Sequence, residues 1–282
     1  MKICAISDIH YPHNEPNLMK DIEQMGDSDV IVIAGDISHN IFDYETVLKR
    51  FNRLKALKLV VLGNHDIYCN KKEDSFEKIG TLEIICQRNG FHLLDKSPVI
   101  KDNVGFVGNI GWYDYQFAQK DSNAEIVALK DERSYKVRIN NMTDEDFSAK
   151  NYFFKSLRKS VVWNDVRYIN WRFSDKEFLN LQLEKLRKDI DEVSPKVKKI
   201  VYISHHIPIK EFIYEKPNDE VWGVFNAYQG SPELGKIAFS NPKLRLLTCG
   251  HNHISDYKKI GNVDCYNLSN EFGNLKPFFI YI

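Results

Sequence analysis

The stretch Ile3-Cys4-Ala5-Ile6-Ser7-Asp8-Ile9-His10 sets the pattern for much of the chain. A short apolar run stops abruptly at serine and aspartate, and a histidine follows two positions on. The layout returns at Val30-Ile31-Val32-Ile33-Ala34-Gly35-Asp36, and again where Leu57 to Leu62 runs into Gly63-Asn64-His65-Asp66. Each run is a few residues long and rich in Val and Ile, which predicts a buried strand. Between the runs, Leu18, Ile22 and Met25, then Val47, Leu48, Phe51 and Leu54, recur at the spacings of a helix face. Asp8 precedes Asp36 by 28 positions, and Asp36 precedes Asn64 by 28 again. That interval fits a strand–helix repeat, with parallel strands and helices packed outside. The polar residues all follow the C-terminal ends of the strands, the edge where open α/β sheets bind ligands.

Further along, Ser75 to Arg88 reads as a helix with Phe76, Ile79, Leu82, Ile85 and Cys86 on one stripe. Phe91 to Leu94, Pro98 to Ile100 and Val104 to Val107 read as short strands of a meander or hairpin, with turns at Asp95-Lys96 and Asp102-Asn103. Ser174-Asp175-Lys176-Glu177 is a capping box opening a helix that Pro195 ends. Ile200 to Ser204 and Leu244 to Cys249 are strands running into His205-His206 and Gly250-His251-Asn252-His253. Ser231-Pro232 starts a short helix reaching Phe239. Val263 to Leu268 and Pro277 to Ile282 complete the strands. Residues 112–173 show no firm periodicity but are dense in aromatics, which argues against disorder. They read as an insertion, either a lid carrying Trp112, Tyr113, Trp163, Asn164 and Asp165 near the site or a small packing subdomain. Gly108 to Trp112, directly after a strand that ends near the site, favours the lid.

The 282 residues suffice for one large core. Lys plus Arg and Asp plus Glu number 39 each, so no basic excess points to nucleic acid or a membrane surface. Five scattered cysteines, at 4, 69, 86, 249 and 265, form no Cys-x-x-Cys pair and read as reduced core thiols. The start of the chain does not read as a signal peptide, and no apolar run approaches the ~20 residues of a membrane span. A cytoplasmic protein without membrane contact is expected. Oligomeric state is not legible.

Of nine histidines, His10, His205, His251 and His253 sit with Asp or Asn just past strand ends. Such a donor set suits borderline divalent ions: Mn, Fe, Zn or Co. Asp8-Ile9-His10, Gly35-Asp36, Gly63-Asn64-His65-Asp66, His205 and Gly250-His251-Asn252-His253 together resemble the calcineurin-like metallophosphoesterase superfamily. Its blocks are D-x-H, G-D, G-N-H, H and G-H-x-H in that order. Any one block alone is turn or loop chemistry; five in order, over residues 8 to 253, are specific.

The resemblance implies a four-layer α/β/β/α sandwich, two mixed sheets flanked by helices. It implies two divalent metal ions, one on Asp8, His10 and His253, the other on Asn64, His205 and His251, with Asp36 bridging. A metal-bridging hydroxide would then hydrolyse a phosphate ester, and His65 would stabilise or protonate the leaving oxygen. Asp36, Asn64 and His65 are thus the catalytic candidates. Asp66 is a candidate to orient His65 or contact substrate, and Trp112 a candidate pocket residue. His206 adjoins His205, and only one of them can point into the site; His205 is taken as the ligand, leaving His206 to touch substrate or to pack. His13 and His39 read as solvated loop histidines or as pocket lining.

Gly35-Asp36-Ile37-Ser38-His39-Asn40 lacks both the G-D-x-x-D-R-G of protein phosphatases and the G-D-x-F-D of repair nucleases, and looks more like bacterial phosphodiesterases. A small phosphorylated partner is expected, more a phosphodiester or nucleotide-like molecule than a monoester of a metabolite or phosphoprotein. The rival class is a catalytically silent scaffold of the same fold, against which stands the full ligand set.

Overall fold

The structure, a computed structural model, describes residues 1–13, 18, 22–120, 123–130, 133–155, 157–216, 219–269 and 276–282. The opening runs form β1 (Lys2–Ile6), β2 (Val30–Ala34) and β3 (Leu57–Val61), paired parallel in that order. β4 (Phe91–Leu93) extends the row parallel to β3, and β15 (Phe278–Tyr281) flanks β1 antiparallel. Phe91–Leu93 therefore belongs to the first sheet and not to a meander. It follows helix α2 (Ser75–Arg88), so the strand–helix repeat runs one unit longer than the sequence pattern suggests.

β1 and β2 are buried on both faces, which is why they read as unbroken apolar runs. On one face Cys4, Ile6, Ile31, Ile33 and Val60 share a core with Tyr44, Val47 and Leu48 of α1 (Ile41–Arg50) and with Leu82 and Cys86 of α2. Leu18, Ile22 and Met25 are buried in the same core, and residues 22–24 are helical, while residues 19–21 of that expected helix lie outside the described residues. Phe76 departs from its expected stripe and is about half exposed, at 48%.

The other face, with Ile3, Ala5, Val30, Val32, Leu59 and Val61, packs on a second sheet through Phe106, Val201, Ile203 and Leu246. That sheet holds β6 (Val104–Asn109), β11 (Lys199–Ser204), β12 (Leu244–Cys249) and β14 (Val263–Asn267), all parallel. Antiparallel edges are β5 (Val99–Lys101), joined to β6 through Asp102 and Asn103 in left-handed backbone, and β13 (Asp256–Ile260). Beyond it lie Leu179, Leu186 and Ile190 of the long helix Asp175–Val193 and Leu234 and Ala238 of the helix Pro232–Phe239. The layers are therefore helix, sheet, sheet, helix. Asp95 ties the two sheets near the site: its carboxylate accepts from the Leu62 N–H at 2.8 Å and the Ile110 N–H at 2.7 Å.

Residues 112–173 carry a third, antiparallel sheet: β7 (Glu125–Lys130), β8 (Arg133–Arg138), β9 (Asn151–Phe154) and β10 (Lys159–Val162). Ile126, Ala128, Tyr152 and Phe154 alternate inward, and their neighbours face outward. The first residue of the long helix anchors this segment, because Asp175 accepts from Trp112 Nε1 and Lys150 Nζ at 2.8 Å each and from the Tyr115 hydroxyl. No helix among the described residues is long and apolar enough to cross a membrane.

Candidate metal centre and active site

Five loops supply the ligands, three from the first main sheet and two from the second. From the first sheet Asp8 and His10 follow β1, Asp36 follows β2, and Asn64 and His65 follow β3. From the second, His205 follows β11 and His251 and His253 follow β12, while Ser269 past β14 and the Ile110 carbonyl past β6 support them. Asp8, His10, Asp36, His251 and His253 all hold positive φ, between 43° and 83°. Such backbone costs a non-glycine residue of the order of 1–3 kcal/mol and gathers where function demands it. The motif glycines serve close approach. A Cβ on Gly63 would lie 2.1 Å from Asp36 Oδ1, and one on Gly250 would lie 2.0 Å from Ser7 Oγ.

Two groups of donor atoms result. His10 Nε2 and His253 Nε2 are 3.1 Å apart, and Asp8 Oδ1 lies 3.8 and 3.7 Å from them. His205 Nε2 lies 3.1 Å from Asn64 Oδ1 and 3.2 Å from His251 Nδ1. Asp36 Oδ2 joins the groups, 3.5 Å from His10 Nε2 and 3.4 Å from His205 Nε2. Donors about 2.1 Å from a shared ion lie about 3.0–3.4 Å from one another. The histidine–histidine and His205–Asn64 spacings fall in that range and the carboxylates stand up to 3.8 Å off, so the residues fit two divalent ions with Asp36 between them.

Supporting contacts fix which atom each ligand presents. His205 Nδ1 donates to the Ala34 carbonyl at 2.9 Å, leaving Nε2 toward the centre. His251 Nε2 donates to the Tyr228 carbonyl at 3.2 Å, leaving Nδ1 inward. Asp8 accepts from Ser269 Oγ at 2.8 Å and from the His251 N–H. Asp36 Oδ1 accepts the His65 N–H at 2.9 Å, freeing Oδ2. Burial, reinforced by neighbouring histidines, pushes His10 and His251 down to about 4 against the pull of Asp36. Burial also opposes charge on His205, but Asp36 outweighs it and brings that imidazole up to about 9. Burial disfavours the Asp36 carboxylate too, yet His205, His65 and His10 hold it well below the usual range.

Three expected substrate contacts fall elsewhere. Asp66 is fully buried, and its carboxylate accepts the N–H groups of Asp36, Ile37, Ser38 and Gly63 at 2.7–3.0 Å. It clamps the loop after β2 to the loop after β3 and neither reaches substrate nor orients His65, whose ring stacks instead on Tyr68 with centroids 4.5 Å apart. Trp112 is fully buried and packs on Tyr113 and Phe178 beneath the site, its indole spent on Asp175. His206 is buried as well. Its Nδ1 donates to the Ile110 carbonyl at 3.0 Å and its ring lies 4.3 Å from that of His251, so it packs behind a ligand.

A cavity of about 670 Å³ opens beside the centre, lined by both His10 and His65. Tyr11, Phe42, Tyr68 and Tyr168 give it aromatic walls, and His13 and His39 lie in it after all. Asn164 and Tyr168 come from the segment 112–173, which thus contributes one wall. Lys78 props that wall from below, donating to the His39 and Tyr68 carbonyls at 2.7 and 2.5 Å. Tyr68, four residues past Asn64, carried no motif and went unnoticed in the sequence.

The model of the calcineurin-like phosphoesterase family matches residues 1–255. The chain belongs to that family. As a calcineurin-like phosphoesterase it is a hydrolase of phosphoester bonds that depends on a dinuclear metal centre. Among solved structures, the phosphopantetheinyl hydrolase of Mycobacterium tuberculosis is similar, with a TM-score of 0.72 at 16% identity over 96% of this chain and 90% of that one. A dimetal phosphatase from Danio rerio is similar at a TM-score of 0.55 and 14% identity, over 100% and 93%. At these identities the likeness is one of fold. No curated protein matches this phosphoesterase.

Proposed function

We propose that the chain hydrolyses a phosphate ester of a small molecule, a phosphodiester or nucleotide-like compound, in the cavity beside His65. The observation that carries this is the junction at Asp36 Oδ2, within 3.5 Å of a donor from each ligand group, at the mouth of an aromatic-walled cavity. Asp8, His10 and His253 would hold one ion, Asn64, His205 and His251 the other, and Asp36 both. The Asp, Asn and His set suits Mn, Fe, Zn or Co. When bound, the ions supply charge to the phosphoryl oxygens and lower the pKa of a nearby water.

The protein's own groups do the rest. Asp36 keeps its charge because histidines surround it, so it can hold two cations at once. His65 lines the cavity next to His10 and is placed to pass a proton to the leaving oxygen. Tyr11, Phe42 and Tyr168 offer flat apolar faces to an organic leaving group. The five cysteines are all buried and unpaired, which fits a reducing compartment such as the cytoplasm.

The test is turnover of bis-p-nitrophenyl phosphate and p-nitrophenyl phosphate with Mn²⁺, Fe²⁺, Zn²⁺ or Co²⁺, followed by a panel of cyclic nucleotides and a phosphopantetheinyl ester. Turnover that a chelator abolishes and metal restores is expected, with the diester favoured. No turnover with any ion would sink the reading in favour of a scaffold, as would metal content well below two per chain.

A further inference from the structure

An asparagine ligand has an ambiguity that aspartate lacks. Its amide must turn the oxygen toward the ion, because the NH2 face would repel it. Whatever fixes the flip of Asn64 therefore decides whether the second site exists. The loop carrying Asn64 offers only the Tyr68 hydroxyl, which can donate or accept and so does not fix the flip by itself. A residue 101 positions later does, since Asn64 Nδ2 donates to Asp165 Oδ1 at 2.9 Å. The Tyr68 hydroxyl closes a triangle, donating to the same oxygen at 2.6 Å and receiving Asn64 Nδ2 at 3.1 Å. Asp165 Oδ2 accepts from the Tyr113 hydroxyl at 2.9 Å and Trp163 Nε1 at 2.8 Å.

Every partner of this carboxylate is a donor, and it is only 1% exposed. An ionised carboxylate can only accept, so the Asn64 amide has one orientation that leaves nothing unpaired, the one with Oδ1 toward His205. A buried anion directly behind a metal ligand also adds negative charge where a cation is to sit. Asp165 lies in the insertion, so that segment completes the centre in addition to walling the cavity.

We propose that Asp165 is the positioning residue of the second metal site, locking the Asn64 amide so that its oxygen is available to the ion. The proposal rests on the two-metal reading above. It predicts an effect confined to one ion, which a merely structural carboxylate would not produce.

Asp165→Asn places an NH2 among four donors and removes the charge. Titration of metal-free protein with Mn²⁺, followed by isothermal calorimetry and electron paramagnetic resonance, is to show the first ion bound within about threefold of wild type. The second is to be weakened about 10–100-fold, the usual effect of losing such a supporting group. The signal at two equivalents is then to change from a spin-coupled pair to a mononuclear spectrum plus free ion. The exchanged pair Asn64→Asp with Asp165→Asn restores the hydrogen bond in reverse and keeps the charge, and is to recover part of the second ion's affinity. Tyr68→Phe, which removes one corner of the triangle, is to show the same selectivity more mildly and serves if Asp165→Asn does not fold. Wild-type protein binding a single ion would sink the dinuclear reading itself. Wild type binding two, with both ions unaffected or both equally weakened in these variants, would overturn the role of Asp165.

Discussion

Asp36 is the residue where the two halves of the centre meet, since its Oδ2 faces both groups while Oδ1 is held by the His65 N–H. Asp36→Asn is expected to abolish turnover and to weaken both ions, as read by metal analysis after dialysis. His65→Ala is expected to differ in kind, keeping about two ions per chain while kcat falls by around 10²–10⁴, the usual share of a general acid. Loss of metal in that variant would refute its assignment as a non-ligand. A pH dependence follows from His205. Its imidazole is raised to about 9, so its protonation stabilises the metal-free protein in full below about pH 6.5; that contribution falls as pH rises from about 6.5 and is gone above about 9. An arriving ion must displace the proton, whereas His10 and His251, lowered to about 4, have none to give. Calorimetry in buffers of different ionisation enthalpy should show about one proton more released per pair of ions near pH 7.5 than well above pH 9.

At the scale of elements, the parallel strands were legible because burial on both faces leaves them uniformly apolar, and the ligands because each stands just past such a run. The capping box at Ser174 and Glu177 was legible as pure local chemistry, and both of its hydrogen bonds are present. The sheet of residues 125–162 was not. Its strands are only half buried, Arg133–Arg138 has no buried residue, and register comes from partners distant in the chain. β13 was missed for the same reason, being an edge strand, Asp256-Tyr257-Lys258-Lys259-Ile260, with no buried residue. The roles of Asp66 and Trp112 were misjudged, and that of His206 was left open between substrate contact and packing, because adjacency to a motif says nothing about which way a side chain turns. The Asp66 clamp has its own consequence. Asp66→Ala strands four buried N–H groups across two loops. It should destabilise the protein by about 3 kcal/mol or more, measured by urea unfolding of the metal-free form, since each orphaned group costs about 1–3 kcal/mol.

For the whole molecule, the centre is a joint between two sheets. Each ligand group draws on both, Asp8 and His10 with His253 on one side, Asn64 with His205 and His251 on the other. Ions bound there would hold the sheets together, so chelation should lower Tm. An ion at a hundred times its Kd stabilises by about 2.7 kcal/mol, and two would shift Tm by on the order of 10 °C in a chain of this size. Calorimetric scans with and without chelator measure this, and an unchanged Tm would mean that the ions do not bridge the sheets. The joint also dictates an order in time. His10 Nε2 and His253 Nε2 are 3.1 Å apart in space and 243 positions apart in the chain. At about 5–20 residues per second, a ribosome needs between roughly ten and fifty seconds to make the second after the first. The early loops therefore leave the ribosome empty, and the enzyme inherits whichever divalent ion is abundant when its last strands dock.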